Sequence, residues 1–308
     1  MKKYYSALLM LFAAAIWGFA FSAQKVAAEL PAFTIGAVRS FFAGIFLIGV
    51  IMALDRLFGS ERRLFSRKNP HFIDINRTEL VGGVCCGLIL VSASALQQSG
   101  ISSGTDAGKA AFITALYVLI VPIIGLALRK RSPLNVWISV AIAIVGFWLL
   151  CIKGDFTVDP SDLLVLVCAF IFALHIVVID RFSPRCDGVR MSCIQFFTAT
   201  VINAVVALIA ESPISFTVIG ANILPLLYLG ICSSGIAYTL QIVGQKHAHP
   251  AAAAVILSLE SVFGVVGSAI LLKERMSPRE YIGCAIVFLA VILSQIDFGA
   301  ILKNKSKQ

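Results

Sequence analysis

Two charged residues stand inside long apolar stretches of the chain, where charge is rare. Glu260 lies in the middle of the apolar run 251–272, and Arg39 lies near the start of the run 33–54. A carboxylate in such a setting can carry a proton or bind a cation. A guanidinium can bind a substrate carboxylate or phosphate. The alternatives are structural: Glu260 pairs with a neighbouring helix, and Arg39 forms an ion pair with Glu260 or extends its guanidinium to the interface.

Uncharged polar residues recur at helical spacing in the same kind of apolar stretch. Ser234, Tyr238, Gln241 and Gln245 follow one another at i, i+4, i+7 and i+11, which places them on one helix face. Such a stripe favours a wet cavity, although hydrogen bonds between helices without any ligand, worth about 0.6 kcal/mol each, would also explain it. His175 stands alone in its run and is typical of a hydrogen-bonded histidine between helices.

We therefore predict a central cavity with Glu260 as the proton-coupling or cation-coupling group. Its predicted lining, which would bind a small-molecule substrate, is Trp17, Gln24, Arg39, Thr114, Tyr117, Tyr238 and Gln241.

The elements that must position these residues are apolar helices long enough to cross a bilayer. The chain of 308 residues is 59% hydrophobic and 13% charged, and its mean hydropathy is +0.94. About 20 apolar residues span the ~30 Å hydrocarbon layer as a helix, and helices satisfy their own backbone there. The predicted spans are 5–27, 33–54, 80–99, 107–128, 136–152, 162–179, 191–210, 223–245, 251–272 and 280–296.

Charge distribution predicts the orientation of these spans. With the N-terminus inside, the inner segments hold eighteen of the 25 Lys and Arg residues and the outer segments hold six. Because Lys and Arg stay on the cytoplasmic side, we expect both termini in the cytoplasm. The expected location is the bacterial inner membrane. The net charge of +9 then needs no nucleic acid to explain it, and the basic loop 55–79 favours anionic lipid of the bilayer.

Other reactive side chains are scattered. The eight cysteines form no C-x-x-C pair, so we expect no metal and no cofactor. No Walker motif is present, and the acids and histidines stand singly, which argues against an enzyme. Lys109 follows Asp106 by three positions and is expected to form a local pair with it.

The two halves of the chain repeat a series of landmarks. Leu96 to Gly100 reads LQQSG and Leu240 to Gly244 reads LQIVG. Each is followed by a span and then a basic turn that ends in Ser-Pro, at 132–133 and at 277–278. Two halves of five spans each, joined in series, must be inverted relative to one another. The sequence therefore predicts an all-α integral membrane protein whose ten transmembrane helices form an inverted 5+5 repeat, with units 1–154 and 155–308.

Four segments carry a resemblance to a known family. They read WGFAFSAQK at 17–25 with Arg39 after it, AGKAAFITALY at 107–117, LSLESV at 257–262 and KERMSP at 273–278. The chain resembles the EamA family of the drug/metabolite transporter superfamily over nearly its whole length. Ser261 stands where that family often has proline, which leaves open whether the span is kinked there.

The resemblance implies a ten-helix inverted repeat that exports or imports small metabolites, and it does not fix a substrate. We expect a secondary-active membrane transporter of small polar metabolites, amino acids or related compounds, that works as an exporter by alternating access between two inverted repeats. Two alternatives stay open. One is a membrane-embedded enzyme, and the other is a passive facilitator or exchanger without proton coupling. A homodimer is also left open.

Overall fold

The computed structural model describes residues 2–57, 76–105, 107–130, 132–151, 159–271 and 277–296. Within these ranges the chain is helical and has no strand. The first half contains α1 (Lys2–Val26), α2 (Ala32–Leu57), α3 (Arg77–Ser102), α4 (Ala107–Ala115), α5 (Tyr117–Ala127) and α6 (Leu134–Cys151).

The second half begins with α7 (Pro160–Phe182), a 3₁₀ turn (Ser183–Arg185) and α8 (Gly188–Ala210). The short helices α9 (Phe216–Ala221) and α10 (Ile223–Leu227) lead into a π-helical segment (Tyr228–Tyr238), which continues as α11 (Thr239–Gln245). The last helices are α12 (Pro250–Leu257), α13 (Glu260–Leu271) and α14 (Pro278–Gln295).

Length and composition make these helices membrane spans. Among the described residues, nine helical stretches are long and apolar enough to cross a bilayer, and Leu134–Leu150 is a shorter apolar helix. The prediction of an all-α membrane protein with about ten spans is confirmed. Most of the basic loop 55–79 and the boundary between residues 154 and 155 lie outside the described residues.

At the first turns of α14 and α12, polar side chains accept hydrogen bonds from backbone N–H groups that have no partner within the helix. The Ser277 hydroxyl accepts a hydrogen bond from the Glu280 backbone at 3.3 Å, and Pro278 occupies the first helical position of α14. Proline fits there because its missing N–H would have no partner in any case. At the start of α12, Nδ1 of His249 accepts from the Ala251 backbone at 3.3 Å.

Two of the predicted spans are broken in the middle, which the sequence did not predict. The run 107–128 divides into α4 and α5 at Leu116, and the run 251–272 divides into α12 and α13 at Ser258 and Leu259. At both breaks a tighter i to i−3 bond forms, from Leu116 to Ile113 at 3.2 Å and from Leu259 to Ile256 at 3.1 Å. The Ser258 hydroxyl also donates to a backbone carbonyl at 2.8 Å, and a serine that bonds its own backbone in this way weakens a helix.

Packing between helices follows the repeat. α2 packs on α8, and α6 packs on α14. α3 packs on α7 and α8, just as the π-helical segment packs on α1 and α2. α1 contacts α12 and α13, just as α7 contacts α4 and α5. These described contacts keep the same pattern when each helix is exchanged for its counterpart in the other half.

The contact between α1 and α13 is the closest approach that bears on the site. A Cβ atom built on Gly18 would lie 2.4 Å from Cβ of Phe263 and 2.6 Å from the backbone nitrogen of Gly264. Only glycine therefore permits this packing, and the approach fixes α1 against the helix that begins with Glu260.

Candidate functional site

A cavity lies where the two broken helices meet the first helix of each half. Its empty volume is about 550 Å³, which includes space that is open to the exterior. The structure places all eight predicted residues on its wall, namely Trp17, Gln24, Arg39, Thr114, Tyr117, Tyr238, Gln241 and Glu260. Their role in binding stays a prediction.

The breaks in the spans lie at this cavity. Thr114 is near the end of α4 and Leu257 is the last residue of α12, whereas Tyr117 and Glu260 are the first residues of α5 and α13. All four line the cavity. Interrupted helices of this kind bring backbone dipoles and side chains to a site in the middle of a membrane protein.

Glu260 is buried without a cationic partner. The residue is only 5% exposed, and its Oε1 atom is buried without a hydrogen-bond partner in the described part of the chain. The Tyr117 hydroxyl lies beside this carboxyl group as its hydrogen-bonding neighbour, although the pair falls outside strict hydrogen-bond geometry. No ion pair between Glu260 and a basic side chain is present among the described residues. A carboxyl group in this state is stable in a membrane only when it is protonated or bound to a cation.

Arg39 reaches the cavity from α2 and is held by neutral partners. Its Nε donates to the Ser234 hydroxyl at 3.0 Å, and its Nη2 donates to the Ser233 hydroxyl at 3.2 Å. The alternative of an ion pair between Arg39 and Glu260 is not what the described residues form. Nη1 has no protein partner in the described part of the chain, so the guanidinium keeps donors for a ligand.

The π-helical segment explains how two consecutive serines serve one guanidinium. A π-helix has wider turns than an α-helix, and such segments recur at functional sites. Ser233 and Ser234 lie within this segment, as does Tyr238. The backbone carbonyl of Ser233 also accepts a hydrogen bond from the indole nitrogen of Trp17 at 3.0 Å. The segment thus fixes Arg39 and Trp17 together.

A chain of amide groups crosses the wall formed by α1, α3 and α4. Nε2 of Gln24 donates to Oε1 of Gln97 at 3.1 Å, and Nε2 of Gln97 donates to the Thr114 hydroxyl at 3.0 Å. Gln241 is the repeat counterpart of Gln97, yet its Oε1 is buried without a partner. Gln97 is therefore hydrogen-bonded to neighbouring side chains, whereas Gln241 keeps a buried acceptor without a partner.

Aromatic rings surround Tyr238. The ring of Trp17 lies 4.6 Å from it, the ring of His175 lies 5.8 Å away and the ring of Phe196 lies 5.7 Å away, measured between centroids. His175 is hydrogen-bonded to Gln195 at 3.1 Å, as expected for a histidine between helices, and it also lines the cavity.

Several lining residues escaped sequence reasoning, namely Ser94, Gln97, Phe172, His175 and Ser233. The repeat carried a signal for two of them. Gln97 corresponds to Gln241 in the repeated landmark, and Phe172 follows Ile171 just as Trp17 follows Ile16, 155 positions earlier. No sequence signal marks Ser233, since a straight α-helix would turn it away from Ser234. Conversely, Gln245 of the predicted stripe lies off the cavity and donates to the Ile176 carbonyl at 3.2 Å.

Lys109 makes a longer-range contact than the one predicted. Its Nζ lies 2.5 Å from Oδ2 of Asp162 and 3.5 Å from Oδ2 of Asp159. Both acids stand at the start of α7, so this contact joins the two halves of the chain. Asp106, the predicted partner, lies outside the described residues.

The chain is similar to known transporters over most of its length. The model of the EamA-like transporter family matches residues 5–152 and again residues 159–295. The chain is 29% identical to an uncharacterized transporter of Archaeoglobus fulgidus, with 95% of this chain and 86% of that protein covered. It is 22% identical to an uncharacterized transporter of Methanothermobacter thermautotrophicus, with 95% and 87% covered. It also resembles a solved crystal structure with a TM-score of 0.74 and 18% identity, over 94% of this chain and 96% of that one.

Proposed function

Because the chain belongs to the EamA-like transporter family, we propose that it is a secondary-active exporter of small polar metabolites, amino acids or related compounds. The observation that carries the proposal is the cavity at the two helix breaks. Its charged groups come from different halves of the chain, Arg39 from the first and Glu260 from the second. A site shared between repeats is what alternating access requires, since relative movement of the repeats changes the side on which the site opens.

Three groups on the cavity wall give it the chemistry of a site for a polar solute. Arg39 offers hydrogen-bond donors, and Glu260 and Gln241 offer buried acceptors without protein partners. Unpaired buried polar atoms are costly, so each is favourable only when a ligand, a proton or water occupies it. Aromatic and aliphatic side chains complete the wall, as in most sites for small molecules.

We further propose that Glu260 couples transport to protons. It is the acid on the cavity wall, and no basic side chain in the described ranges neutralises it. A carboxyl group that carries a proton in one state of the cycle and not in another links the proton gradient to substrate movement. In this scheme the units 1–154 and 155–308 are the parts that move relative to one another.

Counterflow in liposomes tests transport separately from catalysis. Purified protein is reconstituted with each unlabelled compound of a metabolite panel inside, and entry of trace labelled compound from outside is recorded. The proposal expects saturable entry of at least one compound, abolished in protein-free liposomes. Chemical conversion of a compound in detergent, without any counterflow, would instead support a membrane-embedded enzyme.

Energy coupling needs a second measurement on the same liposomes. An imposed proton gradient should drive net accumulation of the transported compound against its own gradient. Counterflow that persists while the gradient drives no accumulation would support a passive facilitator or exchanger.

A further inference from the structure

We infer that Ser261 is a positioning residue for Glu260, because the bond from its hydroxyl group to α4 fixes the direction in which the Glu260 carboxyl group faces the cavity. The inference rests on the proposed role of Glu260 in proton coupling and adds a residue that acts on it. Ser261 is fully buried and does not line the cavity, so it acts through its neighbour and not on a solute.

The bond of Ser261 joins the two broken helices close to their breaks. Its hydroxyl donates to the backbone carbonyl of Ala111 in α4 at 3.0 Å, and the two residues are 150 positions apart in the chain. A carbonyl oxygen has two lone pairs, so Ala111 can accept this bond in addition to one within α4. Neither alanine nor proline at position 261 could form it, since both lack a hydroxyl group.

Glu260 lies in a turn whose backbone alone does not fix its side chain. The N–H of Leu259 bonds to the Ile256 carbonyl at 3.1 Å, and the N–H of Ser261 bonds to the Ser258 carbonyl at 3.2 Å. Both are i to i−3 bonds, which tighten a helix to about 3.0 residues per turn and have poorer geometry than α-helical bonds. A change in this turn rotates the side chain between the two bonds. The direction of Glu260 therefore depends on what holds the turn in place.

Contacts on two sides hold this turn. Farther along α13, the backbone of Gly264 packs closely against Gly18 of α1. At the turn itself, the Ser261 hydroxyl bonds to α4. Without this bond the body of α13 would stay against α1, whereas its first turn could move away from α4 and carry the Glu260 carboxyl group with it.

Tyr117, the first residue of α5, is the neighbour that such a movement would affect. Its hydroxyl lies beside the Glu260 carboxyl group and can donate a hydrogen bond to it. Each broken helix thus contacts the other at its break, since Tyr117 reaches Glu260 and Ser261 reaches Ala111. The proton affinity of a carboxyl group depends on whether such a donor is within reach. Ser261 therefore tunes the proton affinity of Glu260 by holding it next to Tyr117.

Other charged and titratable groups also surround Glu260. α13 packs on α1, α4 and α6. The basic residues of α1 and α4 lie near the helix ends and off the cavity wall, and α6 has no charged residue. In the described ranges, the groups that interact with the carboxyl group or share its cavity wall are Tyr117, Cys168, Tyr238, Arg39 and His175. Replacing Ser261 by alanine removes none of them, so any change in proton affinity comes from repositioning.

An infrared pH titration tests the inference without any solute. Purified full-length protein in liposomes is brought to successive pH values, and the C=O stretching bands of protonated carboxyl groups are recorded. The band that is missing in Glu260→Gln is that of Glu260. In Ser261→Ala we expect the midpoint of this band to move by about half a pH unit or more, which is a roughly threefold change in proton affinity. The variant should fold, because single hydrogen bonds between membrane helices contribute modestly to stability.

Ser139→Ala is the matched control. Ser139 is fully buried in α6, its hydroxyl donates to the Asn135 carbonyl of the same helix at 2.8 Å, and it does not line the cavity. This variant also loses a buried hydroxyl group and should keep the midpoint of the Glu260 band. An equal shift in Ser139→Ala would reduce the effect to a general loosening of the helices and overturn the inference.

Tyr117→Phe shows whether Ser261 acts through the neighbour of the carboxyl group. It should move the midpoint in the same direction as Ser261→Ala. The double variant should move it little further, because two changes to one interaction are not additive. An unchanged midpoint in Ser261→Ala, or a full additional shift in the double variant, would overturn the inference and leave the coupling role of Glu260 intact.

The same titration separates failure of the inference from failure of the proposed function. If no band disappears in Glu260→Gln between mildly acidic and mildly alkaline pH, proton coupling through Glu260 fails together with the inference. Counterflow still decides, independently, whether the protein transports.

Discussion

The chemistry of the site depends on side chains whose polar atoms the protein leaves unpaired. Most buried polar atoms in proteins have partners, so the exceptions call for an explanation. Here Oε1 of Glu260, Oε1 of Gln241 and the Tyr117 hydroxyl are buried on one cavity wall without a partner in strict hydrogen-bond geometry. The Tyr117 hydroxyl is the neighbour that can donate to the Glu260 carboxyl group. The Gln241 acceptor is the one that a ligand or water would have to satisfy.

Replacing Glu260 by Gln removes the charge and keeps the shape of the side chain. If protons couple through this carboxyl group, the variant should lose net transport driven by a proton gradient. Exchange of substrate for substrate should persist wherever binding persists, because exchange does not require the carrier to return empty. Parallel assays of gradient-driven uptake and counterflow in liposomes measure the two activities.

The outcome that contradicts this role is gradient-driven transport at the normal rate in Glu260→Gln at acidic, neutral and mildly alkaline pH. Glu79→Gln is the control, since it alters a buried carboxyl group in the first turn of α3 that does not line the cavity. It should keep coupled transport, even if the protein becomes less stable.

Residue types and helical spacing predicted many of the side chains that line the cavity. Tyr238 and Gln241 stand three positions apart where the π-helical segment passes into α11, and both line the cavity. Ser234, the first residue of the predicted stripe, lies off the cavity wall and bonds to Arg39. Ser233 could not be found in this way, because its position depends on the π-helical turn. The pairing of Arg39 with hydroxyl groups rather than with Glu260 depends on the geometry of three helices, which spacing along the chain does not specify.

At the level of helices, the sequence predicted the apolar spans to within a few residues but not their internal breaks. The predicted start of the fourth span, at 107, is the first residue of α4, and the eighth span, 223–245, matches the described helices. Hydropathy reports how long a segment stays apolar and carries no information about where its hydrogen bonds tighten. Neither Leu116 nor Leu259 is a proline or glycine, so no helix-breaking residue marked the breaks.

The close contact between α1 and α13 predicts that a larger residue at Gly18 will disturb both helices. In Gly18→Ala the new Cβ would meet Cβ of Phe263 at 2.4 Å and the Gly264 backbone nitrogen at 2.6 Å. Backbone atoms cannot rotate away, so the two helices must separate. Because Trp17 and Glu260 lie next to this contact, we expect lower thermal stability and a large loss of transport.

Gly49→Ala is the matched control for Gly18→Ala, since a Cβ at Gly49 meets nothing within 4 Å. This change should leave transport unaltered because the new methyl group contacts nothing. It should not lower thermal stability either, since alanine is a better helix former than glycine. Thermal unfolding and counterflow of the two variants check the prediction side by side. Equal behaviour of the variants would show that close packing of α1 on α13 is not required.

For the whole molecule, the internal repeat and the distribution of Lys and Arg predict two different things, the relation between the halves and the orientation in the membrane. The repeated landmarks predict how the halves relate, and the matching contacts of the described helices follow that symmetry. Charge predicts which way the molecule faces, because basic residues resist translocation across the membrane. An inverted repeat places equivalent ends of its two halves on opposite sides, so only the unequal distribution of Lys and Arg distinguishes inside from outside.

Labelling of single introduced cysteines tests this orientation. Ser66 lies in the basic loop expected on the cytoplasmic side, and Thr217 is an exposed residue of α9, on the side expected to face outward. An impermeant thiol reagent applied to intact cells should modify Thr217→Cys and leave Ser66→Cys unmodified until the membrane is opened. The parent protein gives the background, and seven of its eight cysteines are buried or half-buried. The reverse pattern would invert the predicted topology, whereas labelling of both sites from outside would contradict the predicted number of crossings between them.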